Sequence, residues 1–297
     1  MNWCGNRDPP SLKINVNLQQ IFNTTQPIIG VVHLLPLPTS ARWGGSLSAI
    51  IDRAEQEAVA LASGGVSSII VENFFDAPFP KSRVDPAVVS AMTTIVSRLR
   101  ELVSVPIGIN VLRNDSLSAM AIASCTGAAF IRVNVLSGVM ATDQGLIEGC
   151  AHELLRYRRE LGSDVKIIAD VLVKHAQPLS SSDIATAVHE TIDRGLADAI
   201  ILSGIATGHP PSLEDLKQAK AAAGNTPIII GSGADYRNIS NFMQFADGVI
   251  VSSSLKRQGK IENSIDPIRV SQFVEAMRQD LASQSVQRAI DSMKIHS

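Results

Sequence analysis

Eight short apolar runs recur along this chain, and each ends in a polar or glycine-rich cluster. Ile28 to Val32 precedes His33; Ile69 to Val71 precedes Glu72 and Asn73; Ile107 to Ile109 precedes Asn110; Phe130 and Ile131 precede Arg132 and Asn134. Val165 to Ala169 precedes Asp170, Ala199 to Leu202 precedes Ser203 and Gly204, Ile228 to Ile230 precedes Gly231 to Gly233, and Val249 to Val251 precedes Ser252 to Ser254. The ends fall roughly 30 residues apart, the length of one βαβ unit. Eight such units close into a (β/α)8 TIM barrel, whose active site forms at the C-terminal ends of the strands. The alternative, an open doubly wound sheet, gathers its polar ends near one switch point; here they are spread over all eight.

The chain has 297 residues, and a barrel takes about 250. The expected division is an N-terminal extension over 1–26, the barrel over 27–284 and a helical extension or tail over 285–297. A hydrophobic content of 45% supplies a large core. A net charge of −2 carries no basic bias toward nucleic acid. No apolar stretch approaches the ~18 residues of a membrane span, and the N-terminus, MNWCGNRDPP, lacks a signal-peptide core or transit-peptide composition. Cys4, Cys125 and Cys150 have no metal-ligand spacing, which fits a reducing compartment. A cytoplasmic protein with no metal and no cofactor is expected.

Between the runs, helix signals place elements near Ser46 to Leu61, Pro86 to Val103, Ser116 to Cys125, Cys150 to Leu161, Asp183 to Arg194, Ser212 to Ala222 and Asp235 to Phe245. A last helix follows Asp266-Pro267 toward Asp280, with Leu281 to Met293 as its extension, and Asn17 to Phe22 forms a turn under the barrel floor. Leu136 to Glu148 reads as a substrate-facing loop, and Asp143 within it as a ligand contact.

Gly231-Ser232-Gly233 and Ser252-Ser253 follow runs seven and eight, where barrels often bind phosphate on backbone N–H groups. Gly204 and Thr207-Gly208 can complete that cradle, or the glycines can simply turn tight loops. Asp170, Lys174 and His175 are the densest ionisable cluster. A lysine of depressed pKa serves as a base or forms a Schiff base; the bland alternative is a surface Lys-His pair. Glu72, Asp170, Lys174 and His175 are the candidate catalytic groups. His33, Asn73, Asn110, Arg132, Asn134 and Asp143 are the candidate ligand contacts, with a satisfied core histidine the other reading of His33. Arg132 and Asn134 share a face by the two-residue period of a strand, and a buried arginine requires a carboxylate such as Glu72 or Asp170.

The segments VVHLLPLPTS, GGVSSIIVENFFDAPF, GINVLRNDSLSAMAIASCTGAAFIRVNVLSG, IIADVLVKHAQPL, IIIGSGADYRNI and ADGVIVSSSLK together resemble the BtpA/SgcQ family over roughly residues 28 to 275. The resemblance implies a ribulose-phosphate-binding type of barrel. It also implies, through the family's cyanobacterial branch, a photosystem I biogenesis or stability factor, peripheral on the cytoplasmic face of the thylakoid. Its expected partners are photosystem I reaction-centre proteins or their assembly intermediates, with homo-oligomerisation open. The residues themselves point to a site for a phosphorylated small molecule. That keeps a second expectation alive: an isomerase, epimerase or lyase acting on a phosphorylated sugar or related metabolite.

Overall fold

Strands buried on both faces read as continuous apolar runs, and here they close on themselves. The structure is a computed structural model describing residues 17–179, 183–204 and 209–279. Eight parallel strands form the closed barrel: β1 (Ile28–His33), β2 (Ser68–Glu72), β3 (Ile107–Asn110), β4 (Phe130–Val133), β7 (Lys166–Val171), β9 (Ala199–Leu202), β10 (Ile228–Ile230) and β11 (Gly248–Val251). Three further strands, β5 (Val139–Thr142), β6 (Gly145–Glu148) and β8 (Ala176–Pro178), form a separate sheet. The helices are α1 (Leu18–Phe22), α2 (Leu47–Ser63), α3 (Pro86–Leu102), α4 (Ser116–Thr126), α5 (Ala151–Glu160), α6 (Ile184–His189), α7 (Leu213–Ala223), α8 (Ile239–Phe242) and α9 (267–279).

Strand alternation sorts the core into two parts. Ile28, Val32, Ile69, Val71, Ile107, Ile109 and Val249 face outward and pack with Ala54, Leu61, Met92 and Leu99 of the surrounding helices. Ile29, Val31, Ile70, Phe130, Ile168, Ala199, Ile201, Ile229 and Ile250 fill the barrel axis. From below, α1 closes the floor: Phe22 meets Phe130 edge-on with ring centroids 5.3 Å apart. Phe130 claims so much of the axis that a Cβ at Gly108 would lie 2.2 Å from its ring. The next inward position on each strand lies at the opposite end, and there the two-residue period brings His33, Glu72, Asn110, Arg132, Asp170, Ser203, Gly231 and Ser252. The polar residues that end the runs thus become one layer at the barrel mouth.

Polar caps start most of the helices. Ser46 accepts from the Ala49 N–H, Asp85 from Ala87, Asp115 from Ser118, Asp183 from Thr186 and Ser212 from Asp215, each cap contributing about 1 kcal/mol.

Three expectations are corrected. The segment read as a loop over Leu136 to Glu148 is a β-hairpin. Gly145, at φ 95°, permits its turn, and Met140 and Ile147 bury a small apolar face with Val135 and Val173. The helix expected over Asp235 to Phe245 shrinks to α8, because Asp235 takes the Arg237 and Asn238 N–H groups and the Asn238 side chain takes the Asp235 N–H. That local turn competes with helix. The helix expected to Arg194 passes at Glu190 into a π-helical turn. The proposed extension over Leu281 to Met293, the tail over 285–297, most of the segment 1–26 and Thr207-Gly208 lie outside the described residues.

Candidate functional site

At the centre of the mouth, Arg132 on β4 is buried at 4% exposure and meets two carboxylates. Its Nε donates to Asp170 Oδ2 and its Nη2 to Asp170 Oδ1, both at 2.8 Å. Its Nη1 reaches Glu72 Oε1 at 3.3 Å. Both partners anticipated for this arginine are in place. Asp170 also accepts from Asn134 Nδ2 at 2.9 Å and from Ser203 at 3.5 Å. Burial opposes the Arg132 charge, but Asp170 and then Glu72 more than offset it and raise its pKa.

Glu72 is shared. Asn110 Nδ2 donates to it at 3.0 Å, and His33 Nε2 lies 3.6 Å from its other oxygen. Burial would raise its carboxyl, yet His33, Arg132 and Asn110 hold it at about 2. His33 shifts the other way: burial lowers its pKa, outweighing Glu72. A neutral ring with its proton on Nε2 fits both, with Nδ1 free to accept from the Ser252 hydroxyl 3.5 Å away. Phe74 packs on that ring at 4.6 Å.

Above this layer lies a cavity of about 100 Å³, lined in part by His33, Glu72, Asn110, Arg113, Arg132 and Asn134. Lys174 and His175 line it from the loop after β7, and Gly231, Ser232, Gly233, Ser252 and Ser253 from the loops after β10 and β11.

The cations facing the cavity differ in their pairing. Arg132 is neutralised twice. Arg113 is buried at 6% exposure, and its Nη2 donates to the Lys174 carbonyl at 2.8 Å. Burial lowers its pKa from the ordinary value, but a guanidinium remains charged. Among the described residues, neither Arg113 nor Lys174 has a carboxylate within ion-pair distance. Burial, then the charge of Arg132, lowers the Lys174 amine to about 8, against the pull of Glu72 and Asp170. Burial and the neighbouring Lys174 also lower His175.

The sequence candidates divide accordingly. His33, Glu72, Asn110, Arg132, Asn134, Lys174 and His175 converge on the cavity. Asp170 does not line it, because its oxygens are committed to Arg132, Asn134 and Ser203. Asn73 does not line it either; its amide bridges Asp76 and the backbone of Leu112. Asp143 is exposed at the hairpin turn. Gly204 packs on the other side of its loop, where a Cβ would lie 2.3 Å from the His209 carbonyl. Among the described residues, no group of three His, Cys, Asp or Glu side chains forms a metal site, so Glu72, Asp170 and His175 do not converge as one.

The glycines of the phosphate candidate are required for a reason other than ligand approach. A Cβ at Gly233, where φ is 74°, would lie 2.2 Å from Pro210 N, and one at Gly231 would lie 2.3 Å from Ser203 Oγ. Both serve close packing between neighbouring loops. Ser232 Oγ donates to the His209 carbonyl at 2.8 Å. The backbone N–H groups of Ser232, Gly233 and Ala234 have no protein acceptor among the described residues. Arg113 and the aromatic wall of Phe74 and Phe79 were not among the sequence candidates, since nothing local distinguishes them from loop residues.

Fold and site together define a (β/α)8 barrel whose mouth carries a layer of buried ionised and polar side chains. A model of the BtpA family matches residues 24–279, and the chain belongs to that family. It is 72% identical over 268 residues, 90% of this chain and 93% of the relative, to the photosystem I biogenesis protein BtpA of Synechocystis. An uncharacterised protein of Methanocaldococcus jannaschii is 44% identical over 249 residues, covering 84% of this chain and 94% of the relative. SgcQ of Escherichia coli is 29% identical over 261 residues, covering 87% and 96%. Among solved structures, N-(5'-phosphoribosyl)anthranilate isomerase from Pyrococcus furiosus superposes with a TM-score of 0.52 at 14% identity, covering 86% of this chain and 99% of that one. A native KDPGal structure does so with a TM-score of 0.52 at 16% identity, covering 87% and 98%. At these identities the likeness is one of fold.

Proposed function

We propose that this chain is a photosystem I biogenesis factor that supports accumulation of the reaction-centre proteins. The observation that carries the reading is the 72% identity, over 90% of this chain, to a protein named for that role. The reading includes a location on the cytoplasmic face of the thylakoid and contact with reaction-centre proteins or their assembly intermediates. It is tested by expressing the chain in a cyanobacterial strain deleted for its own copy and measuring photosystem I per cell. Wild-type content supports the role. Content that stays at the deletion level, with the chain at normal abundance, rejects it.

A second reading is favoured by one feature of the mouth. Arg113 and Lys174 line the cavity with no carboxylate partner among the described residues, and Ser232, Gly233 and Ala234, whose backbone N–H groups have no protein acceptor among the described residues, line it too. A half-buried cation without a counter-ion is costly, and a bound anion removes the cost. This arrangement supports binding of a small phosphorylated metabolite, with isomerase, epimerase or lyase chemistry as the enzyme form of the reading. A thermal-shift screen of phosphorylated three- to five-carbon metabolites tests it, because a ligand of the native state raises Tm by mass action. A stabilising ligand whose effect disappears in Arg113→Gln supports the reading; no stabilisation by any of them counts against it.

A further inference from the structure

We propose that the Lys174 amine forms an imine with a small phosphorylated aldehyde or ketone held in the mouth cavity. This rests on the second reading above, that the cavity takes an anionic metabolite, and adds the substrate class and the covalent step.

The first support is the unusual position of this ammonium. Lys256 is paired with Glu57, and Lys220 with Asp247. Lys174 lines an enclosed cavity with neither a hydrogen bond nor an ion pair to its amine among the described residues. The two carboxylates below it are committed elsewhere, Asp170 to Arg132 and Asn134, Glu72 to Arg132, Asn110 and His33. Among the described residues, no protein group competes for the nitrogen.

The second support is that the backbone carrying Lys174 is fixed on both sides. Arg113 holds its carbonyl, and Leu172 and His175 take left-handed conformations at φ 50° and 57°. Non-glycine residues adopt that region only when the surroundings enforce it. Two residues further on, Ala176 is paired to Thr142 of the hairpin. A nucleophile needs this kind of support to hold its attack geometry.

The third support is the wall. Phe74, Phe79, Leu112 and Ile261 line the cavity beside the polar groups. They limit water around a bond that water hydrolyses. The charges facing the amine are Arg113, Arg132, Glu72 and Asp170, with His175 beside it, and their sum with burial leaves its pKa at about 8. Roughly a tenth of the amine is then unprotonated at pH 7, far more than for an ordinary lysine.

The step balances without any redox partner. The nitrogen lone pair attacks the carbonyl carbon, a C–N bond forms, and the carbonyl π pair moves to oxygen as the nitrogen loses a proton. His175, on the rim and largely neutral at pH 7, takes that proton. It passes that proton to the alkoxide, giving the neutral carbinolamine; a proton from solvent, relayed by His175, then converts the hydroxyl to water, which leaves as the nitrogen lone pair closes a protonated C=N bond. Arg113 and the Ser232–Ala234 N–H groups hold the phosphate.

The test incubates the full chain with glyceraldehyde 3-phosphate, reduces with sodium borohydride and maps modified lysines by peptide mass spectrometry. Exposed Lys81 and Lys260 are internal controls. Labelling of Lys174 at least tenfold faster than either control, and faster with the phosphorylated aldehyde than with glyceraldehyde, is expected. Lys174→Arg should lose that adduct and keep the wild-type Tm. Labelling of Lys174 no faster than Lys81 and Lys260 overturns the proposal. Glycerol 3-phosphate, which has no carbonyl, separates it from the reading beneath it. If glycerol 3-phosphate raises Tm while Lys174 is not selectively labelled, the anion site stands and the imine falls. If Lys174 is selectively labelled while glycerol 3-phosphate leaves Tm unchanged, the imine stands and the anion site falls.

Discussion

Lys256 Nζ lies 2.9 and 2.8 Å from the two carboxylate oxygens of Glu57, a residue 199 positions away in the chain, and both side chains are buried. Arg53 Nε adds a 2.7 Å contact to the same carboxylate. The group locks the loop after the last barrel strand to the first barrel helix. Lys256→Met leaves Glu57 buried with Arg53 alone, and should cost about 3–5 kcal/mol in urea unfolding. Restoration of most of that loss by the double change Glu57→Leu with Lys256→Met would identify the penalty as uncompensated charge. A single variant as stable as wild type would show that the pair holds nothing.

Asp170→Asn should be a stability variant first. It keeps the shape but removes the charge that Arg132 grips with two nitrogens, and an arginine at 4% exposure cannot turn to solvent. A loss of about 3–5 kcal/mol is expected, read by denaturant titration. Lost biological activity in this variant would report unfolding as much as chemistry, so Lys174→Met is the better probe of the cavity. Wild-type unfolding of Asp170→Asn would return Asp170 to the list of candidate bases.

Acid should destabilise the protein in two stages. His33 has a lowered pKa in the fold, so the unfolded chain binds its proton first and stability declines as pH falls below about 6.5. Glu72 has its pKa lowered from 4.5 to about 2, so its contribution is complete above 4.5 and is lost as pH falls from there through about 2. Glu72→Gln should flatten the lower stage and, by removing the carboxylate that raises His33, deepen the upper one. A profile for that variant parallel to wild type between pH 4.5 and 2 would contradict the assignment.

Gly233→Ala should lower stability by about 1–3 kcal/mol through its φ of 74° alone, and the contact with Pro210 N adds to this. Gly233→Val should do more. A pure phosphate-cradle role would give a blocked ligand in an intact barrel; the packing of the loop against His209 and Pro210 instead predicts a disrupted loop. Thermal unfolding decides, and a Gly233→Val protein with unchanged Tm would favour the cradle role over the packing role.

Among the described residues, no helix is long and apolar enough to cross a membrane. If the chain associates with thylakoids, high salt or alkaline wash should release it, since exposed charge contacts are screened. Recovery only in detergent would mean an apolar or lipid attachment.

Much of this was legible in the sequence because parallel strands leave a strong local mark. An unbroken run such as Ile28 to Val32 ending at His33 gives both the strand and the end that faces the mouth. The pairing of Arg132 with acidic groups followed from the cost of burying a lone guanidinium. What stayed hidden depends on neighbours distant in the chain. Glu57 looks like an ordinary helix-surface residue until Lys256 arrives from the other end. Asp170 is a foreseeable partner of Arg132, but that the pairing takes both of its oxygens and leaves it off the cavity wall depends on the fold. The hairpin residue Ala141 has its second strand partner at Gln177, 36 positions on, and only Met140 and Ile147 of the hairpin strands are buried, so no clear alternation marks it. Gly231 and Gly233 invite a phosphate reading because the atoms that exclude a side chain there belong to Ser203 and Pro210.

The small sheet joins two segments that a simple barrel would leave independent. Thr142 pairs with Ala176, and Met140 with Pro178, so the hairpin after β4 and the strap after β7 are stitched into one plate. Lys174 sits at the rim of that plate. Insertions or deletions at the exposed hairpin turn, usually the most forgiving place in a fold, are therefore transmitted to the amine in the cavity. In this barrel the length of one surface turn and the aim of a buried nitrogen are a single inherited trait.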